Sequence, residues 1–321
     1  MTGRVLLADI GGTRSRFGVT DFGHAALEVY DVVKLANDDF TSFDAALKIY
    51  LNTIPTLPEH ALFAIAGPVK DHVVKLTNRD WSISAQALKA QYGFKSVTLV
   101  NDFEAMARAV PVLDEDRFET VLEGDADPAA PVLVAGPGTG LGMATLLQAD
   151  AGKWKVICSE GGHSAFAPRS HEDVKLGQIL HSLHGFVSYE LVTSGSGLEA
   201  VHRAMCKLYG QPFTEMAAED VSSAAQNGNL ICERVCAFRA RALMGFIGDM
   251  VLANGARGGA VLSGGATESL LPWLGGHEAK TYYLDRGPRS EYIAGIPIRR
   301  MRGEFIPLVG AAALYNDQLG V

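Results

Sequence analysis

The sequence predicts an α/β fold of two domains, and three observations lead to that prediction. The chain has 321 residues, 48% of them hydrophobic, which is enough for about two domains with large cores. Strand-like apolar stretches alternate with helix-like stretches, which is the pattern of helices on a mostly parallel sheet. A strand–glycine turn–strand unit also occurs twice, around Thr13 and around Thr139.

The elements of the first half follow in a regular order. "RVLLADI" and "SRFGVTD" are predicted strands around a glycine turn, and "SFDAALKIYLNTI" is a predicted helix with one apolar face. "HALFAIAGPV" is a strand stopped by Gly67-Pro68, and "SAQALKAQYG" is a helix that ends at Gly93. The strand "SVTLVNDF" ends in polar residues and leads into the helix "EAMARAVPVL".

The second strand–glycine turn–strand unit, "PVLVAGPGTGLGMATLL", runs from Pro131 to Leu147. The distance between the two copies is too long for a solenoid repeat, so it favours two related domains that each open with this unit. The segment before it, Asp114 to Pro131, is polar and rich in turn residues. We therefore expect the crossover between the domains there.

Charge and composition exclude several classes of function. The net charge is −8 and no run of Lys or Arg forms a basic stripe, which argues against nucleic acid as a partner. No signal-peptide segment or apolar run of about 18 residues occurs, so we expect no membrane association and a cytoplasmic location. The four cysteines form no C-x-x-C pair. Cys232 and Cys236 have the spacing of a buried helix face rather than of a metal site.

The glycine turns do not match the common nucleotide-binding loops. G-x-x-x-x-G-K-[ST] is absent, and strand-like residues, not a helix, follow Gly138-Thr139-Gly140. Two glycine hairpins that face each other across a cleft are instead typical of actin-like and hexokinase-like ATPases. The remaining motifs agree with this. "DIGGTRSRFGV", "LVNDFEAMARAV", "GPGTGLGMA", "SEGGHSAFAP", "SYELVTSGSGLEAVHRA" and "GAVLSGGAT" resemble, in order, segments of bacterial glucokinases.

The resemblance covers nearly the whole chain and implies a two-domain actin-like ATPase fold (ribonuclease H-like) with a cleft between the domains. A small domain would span residues 1–110 and be completed by the helix at 302–321, with a large domain at 111–301. ROK sugar kinases are a poorer match, because no cysteine-rich zinc segment follows His163. The implied reaction, at the entry to glycolysis, is transfer of the γ-phosphoryl group of ATP to the 6-hydroxyl of glucose, with Mg²⁺ as cofactor.

The same resemblance assigns roles to residues. The nucleotide would lie against three groups of residues: Ala8, Asp9, Ile10, Gly11, Gly12 and Thr13; Gly138, Thr139 and Gly140; and Gly264, Gly265 and Ala266. Asp9 would also hold the Mg²⁺, through water. The glycines let the backbone approach phosphate oxygens. Small residues after the strand "GAVLS" would let an adenine ring lie flat, although they also suit a plain strand-to-helix turn.

Asp102 is the candidate catalytic base. Polar residues at the carboxyl end of a parallel strand lie where α/β sheets place ligands, and a carboxylate can accept the proton of an attacking hydroxyl. The alternative is that Asp102 caps the following helix. Asn101, Asp102, Glu160, His163 and Glu190 are the candidate glucose ligands, and Glu190 is assigned by the resemblance alone.

Three questions stay open at this stage. The phosphoryl donor can be ATP, ADP or polyphosphate. The acceptor can be another hexose, and the oligomeric state, for which a homodimer is one expectation, is undetermined. A sugar-responsive regulator without turnover is the alternative from another class. It is disfavoured because such regulators usually carry a helix-turn-helix, for which no segment is apparent here.

Overall fold

The computed structural model describes residues 3–23, 27–76, 79–149 and 153–319. The chain forms two compact units. The first comprises Met1–Arg117, Gln148–Cys158 and Gly303–Val321, and the second comprises Phe118–Leu147 and Ser159–Arg302. Among the described residues, none of the helices is both long and apolar enough to span a bilayer.

The strands of the described ranges are β1 (Gly3–Ile10), β2 (Arg14–Phe22), β3 (Val29–Ala36), β4 (His60–Ile65), β5 (Val73–Lys75), β6 (Ser82–Ser84), β7 (Ser96–Asn101), β8 (Phe118–Leu122), β9 (Val132–Pro137), β10 (Leu141–Gln148), β11 (Trp154–Ser159), β12 (Ala260–Leu262) and β13 (Ile298–Met301). The helices are α1 (Phe43–Leu51), α2 (Ala85–Tyr92), α3 (Asp102–Ala109), α4 (His171–His184), α5 (Tyr189–Thr193), α6 (Leu198–Leu208), α7 (Ala218–Gln226), α8 (Leu230–Asn254), α9 (Gly265–Leu274), α10 (His277–Leu284), α11 (Ser290–Ala294) and α12 (Ile306–Leu319).

The first unit contains a five-stranded sheet in the order β3-β2-β1-β4-β7. β1, β4 and β7 are parallel, whereas β2 is antiparallel to both β1 and β3. The expectation of a mostly parallel sheet was therefore wrong in this unit, because the glycine turn between β1 and β2 forms a hairpin. The predicted strands and helices of this half are confirmed.

Strand register aligns the carboxyl ends of the parallel strands. Ile10 lies opposite Ile65, and Ile65 lies opposite Asn101. Since neighbouring strands are about 4.8 Å apart, the residues that follow β1 and β7 leave the same edge of the sheet about 10 Å from each other. This is the edge at which α/β sheets hold ligands.

The two faces of this sheet are covered by different helices. Leu6, Ala8 and Ile10 of β1 pack on one side, in a core that includes α1 and α2. Val5 and Leu7 pack on the other, in a core that includes α3 and α12. This alternation follows from the two-residue period of a strand. The final helix, predicted at 302–321, begins only at Ile306 and packs on the first unit, and residues 320 and 321 lie outside the described residues.

In the second unit, neighbouring strands lie in the order β10-β9-β12-β13-β8. β9 and β10 form the second predicted hairpin, and β12 is parallel to both β9 and β13. The predicted polar crossover contains β8, which pairs with β13, so the hairpin is not the first element of this unit. β8 was missed because its side chains are only partly buried or exposed. The predicted domain boundaries stay predictions.

Candidate active site

The first glycine turn, Gly11 to Thr13, has its carbonyls held from one side. The Asn37 side-chain Nδ2 donates hydrogen bonds to Gly11 O (2.9 Å) and Gly12 O (3.3 Å). In a trans peptide the C=O and the following N–H point in opposite directions. The N–H groups of Gly12 and Thr13 therefore point away from Asn37, and they make no hydrogen bond with any described residue.

Two residues that support this turn were missed by the sequence analysis. Asn37 is fully buried and accepts a hydrogen bond on Oδ1 from Ser15 Oγ at 2.7 Å. Arg79 Nε donates to Gly12 O at 3.3 Å, and its Nη1 donates to Asn37 O at 3.1 Å. A single sequence offers no signal for either contact, because both residues come from distant loops.

Asp9 lies one residue before the end of β1 and is buried. Its Oδ2 is 2.5 Å from Arg16 Nη1 of the antiparallel strand. Burial raises the pKa of Asp9, and the guanidinium of Arg16 opposes that shift. The neighbouring Ala8 and Ile10 are fully buried in the core. Any nucleotide at this position would therefore meet their backbone and not their side chains.

Asn101 and Asp102 lie at the same sheet edge as the first glycine turn. Asn101 is the N-cap of α3, since its Oδ1 accepts from Phe103 N at 2.9 Å, and its Nδ2 donates to Gly67 O at 3.1 Å. Asp102 is the first helical residue, and its Oδ1 is 3.0 Å from Phe103 N. The alternative role of Asp102 as the helix cap is therefore wrong; Asn101 fills it.

The second glycine turn, Gly138 to Gly140, repeats this arrangement in the other unit. Gly195 N donates to Gly138 O at 2.8 Å, and Ser196 N donates to Thr139 O at 3.1 Å. By the same geometry, the N–H groups of Thr139 and Gly140 point away from the 195–196 segment. They form no hydrogen bond within the part of the chain that the structure describes. Successive outward N–H groups of this kind are typical anion-binding concavities.

Glu190 contacts the second turn directly. Its Oε2 accepts a hydrogen bond from Leu141 N at 2.8 Å, and its Oε1 is 3.8 Å from His163 Nε2. A Cβ atom on Gly140 would lie only 2.6 Å from Glu190 Oε2. Glycine at position 140 is therefore needed for the carboxylate to lie this close to the turn.

Glu160 and His163 flank the short turn Gly161-Gly162, and both side chains are exposed. A Cβ on Gly162 would lie 2.1 Å from Leu141 O, so this turn packs against the start of β10 only because it lacks side chains. This close packing brings His163 near Glu190. The described residues contain no group of three or more His, Cys, Asp or Glu that could hold a metal ion.

Gly264 lies between β12 and α9, and Gly265 and Ala266 are the first two residues of α9. Gly264 lies beside the second glycine turn. Gly264 has a φ of 98°, and a Cβ there would lie 2.5 Å from Pro137 O. Both facts require glycine. The predicted adenosine segment therefore lies next to the predicted phosphate turn, which the sequence separates by more than a hundred residues.

The comparisons with known proteins identify the family. The sequence model of the Glucokinase family matches residues 6–318. The chain belongs to the glucokinase family. A curated glucokinase of Chromobacterium violaceum is 33% identical to it over 98% of this chain and 90% of the relative. A curated glucokinase of Chromohalobacter salexigens is also 33% identical, over 99% of this chain and 100% of the relative. The resemblance stated from the motifs is thus confirmed.

Solved structures agree in fold. A glucokinase from an Antarctic psychrotroph has a TM-score of 0.84 at 33% identity and covers 98% of this chain and 99% of its own. A glucokinase from Balamuthia mandrillaris in complex with glucose has a TM-score of 0.83 at 20% identity and covers 98% of this chain and 94% of its own. A ROK family glucokinase from Streptomyces griseus in complex with glucose and AMPPNP has a TM-score of 0.66 at 18% identity and covers 97% of this chain and 99% of its own. These glucokinase-family matches confirm the predicted actin-like ATPase fold class.

Proposed function

We propose that the chain transfers the γ-phosphoryl group of ATP to the 6-hydroxyl of D-glucose. Membership of the glucokinase family supports the reaction, and solved relatives hold glucose and an ATP analogue. The structural observation that carries the proposal is the pair of glycine turns, each with two outward N–H groups. Adjacent outward N–H groups of this kind suit the negative charge of a phosphate group.

Mg²⁺ would be held at Asp9. This ion takes oxygen ligands, keeps several waters, and is usually bound through one or two carboxylates together with substrate phosphates. A single carboxylate beside the first phosphate turn fits that pattern, and the ion's chemistry is to neutralise charge on the phosphates. Arg16 fixes the orientation of the Asp9 carboxylate through the contact of 2.5 Å.

Asp102 would act as the general base. The 6-hydroxyl oxygen of glucose forms a bond to the γ-phosphorus, the bond to the β,γ-bridging oxygen breaks, and ADP leaves while Asp102 accepts the hydroxyl proton. Asn101, Glu160, His163 and Glu190 would bind the sugar hydroxyls. One oxygen of Glu190 is already used by Leu141 N, which leaves the oxygen that faces His163 for this task.

The test of this mechanism is Asp102→Asn. Because Asn101 is the helix cap, the substitution leaves the capping hydrogen bond in place and should leave the fold and glucose binding intact. Turnover should fall at least ~10²-fold, which is ~2.7 kcal/mol of barrier. Glu104→Gln, which removes another carboxylate from the first turn of α3, is the matched control and should keep near wild-type kcat.

A coupled assay over several hexoses, with ATP, ADP and polyphosphate as donors, tests the substrate assignment. Glucose with ATP should give the highest kcat/KM. A folded Asp102→Asn protein with wild-type turnover would contradict the assignment of the base, and binding of sugar without turnover in the wild type would favour a regulator. The cytoplasm is the proposed location, and a homodimer stays a prediction for light scattering.

A further inference from the structure

Arg239, in the middle of α8, is a buried cation with unusual partners. Arg239 is only 2% exposed, and its Nη2 donates hydrogen bonds to the backbone carbonyls of Thr193 (2.7 Å) and Ser194 (2.8 Å). Within the described part of the chain, its Nε has no hydrogen-bond partner and no carboxylate pairs with the guanidinium. Burial lowers the pKa of Arg239 to about 10. A buried charge without a carboxylate is costly, so a role other than stability is expected.

The two carbonyls that Arg239 binds immediately precede the segment that holds the second glycine turn. Ser194 is followed by Gly195 and Ser196, whose N–H groups donate to the carbonyls of Gly138 and Thr139. Ser194 Oγ also accepts from Gly197 N at 3.2 Å, which closes the loop on itself. A continuous series of hydrogen bonds therefore runs from the guanidinium to the turn.

We propose that Arg239 is a positioning residue for phosphate binding at the second glycine turn. It fixes the 193–197 loop, the loop fixes two peptide planes of the turn, and the N–H groups of Thr139 and Gly140 are thereby kept pointing outward. The residue itself touches no phosphate. This inference rests on the proposed function, in which these N–H groups bind the phosphates of ATP.

Arg239→Met and Arg239→Lys test the inference. Isothermal titration with ADP, ATP and adenosine separates phosphate binding from binding of the nucleoside. For Arg239→Met we expect the Kd for ADP and for ATP to rise at least ~10-fold, with the Kd for adenosine unchanged within about twofold. Lysine keeps a charge but cannot donate to both carbonyls with the planar geometry of arginine, so its loss should be intermediate.

Phe238→Leu is the control for a general loss of stability. Phe238 precedes Arg239 on the same helix, is fully buried, and packs against Phe166 with ring centroids 5.6 Å apart. The variant should melt at a lower temperature and keep the wild-type ratio of the ADP and adenosine affinities.

Two results would overturn the inference. One is a folded Arg239→Met protein that binds ADP as the wild type does. The other is an equal loss of ADP and adenosine affinity, which would indicate a structural role only. If the methionine variant does not fold, the lysine variant decides by the same criteria. A wild-type protein that does not phosphorylate glucose with ATP would overturn the proposed function instead, so the two failures can be told apart.

Discussion

Asn37 offers a direct test of how the first glycine turn is held. Asn37→Ala removes the side chain that donates to Gly11 O and Gly12 O and that accepts from Ser15 Oγ. Asn37 begins a short 3-10 helix, Asn37–Asp39, and its φ is not positive. Alanine fits there without strain, so the variant removes the three hydrogen bonds and little else. No ligand contact has been assigned to Asn37, and its effect on the reaction should come only through the turn.

The cost follows from those three hydrogen bonds. Each buried hydrogen bond contributes about 0.5–1.5 kcal/mol, and a buried hydroxyl left without a partner costs about 1–3 kcal/mol. Ser15 is fully buried, so in the variant its hydroxyl loses its acceptor and cannot bond to water instead. Since Arg79 Nε still donates to Gly12 O, part of the support remains. We expect the free energy of unfolding to fall by about 2–4 kcal/mol.

The functional readout is the KM for ATP. When Gly11 O and Gly12 O lose Asn37, their peptide planes can rotate, and the outward N–H groups no longer stay in one direction. We expect the KM for ATP to rise at least ~10-fold, equivalent to about 1.4 kcal/mol of binding free energy. Urea unfolding gives the loss of stability, and a coupled assay with glucose at saturation gives the KM.

Thr20→Val is the matched control in the same strand pair. Thr20 is buried and its Oγ1 donates to Glu28 O at 2.7 Å, far along β2 from the turn. It should lose stability and keep the wild-type KM for ATP. If Asn37→Ala unfolds as easily as expected but binds ATP with an unchanged KM, the reasoning about the peptide planes is refuted.

Three further outcomes are expected. Gly264→Ala should lower the free energy of unfolding by ~1–3 kcal/mol in urea, because its φ of 98° and a carbonyl of β9 leave no room for Cβ. Cys236 is buried, and burial raises the pKa of its thiol to about 11, so Ellman's reagent at pH 8 should react with it only after unfolding. Burial raises the pKa of Asp173, but the hydrogen bond from Tyr282 and the charge of Arg241 outweigh this and hold it below its usual value. Its stabilisation should therefore be complete above pH ~4 and be lost as the pH falls further, with a weaker acid dependence in Asp173→Asn.

Much of the fold could be predicted because its signals are local. The hairpin β1–β2 and the helix α2, which ends at Gly93, follow from apolar periodicity and from the position of glycine. β8 could not be predicted, because a short, half-exposed strand carries little pattern. The sequence analysis also predicted too few antiparallel strand pairs, since the alternation of strands and helices does not indicate hairpins at the edge of a sheet.

The candidate site divides in the same way. Its glycine turns and polar strand ends have motifs, and the resemblance found them in order. The residues that hold the turns have no motif. Asn37 donates to the carbonyl of Gly11, 26 residues away in sequence, and Arg79 donates to that of Gly12, 67 residues away. Arg239 donates to the carbonyl of Thr193, 46 residues away. Each is an ordinary polar residue until the chain folds. The ligand roles of the predicted site residues stay predictions.

The assembly of the first unit from three stretches of chain has a consequence for biosynthesis. Helix α12, whose Gly310 lies so close to Ala105 that a Cβ would be 1.7 Å from its carbonyl oxygen, covers one face of β1 and β4. The ribosome makes α12 only after every residue of the second unit. During translation, the apolar face of the first unit's sheet therefore stays exposed to solvent while the whole second unit is synthesised and can fold. A chaperone that binds nascent apolar segments would have its longest opportunity there.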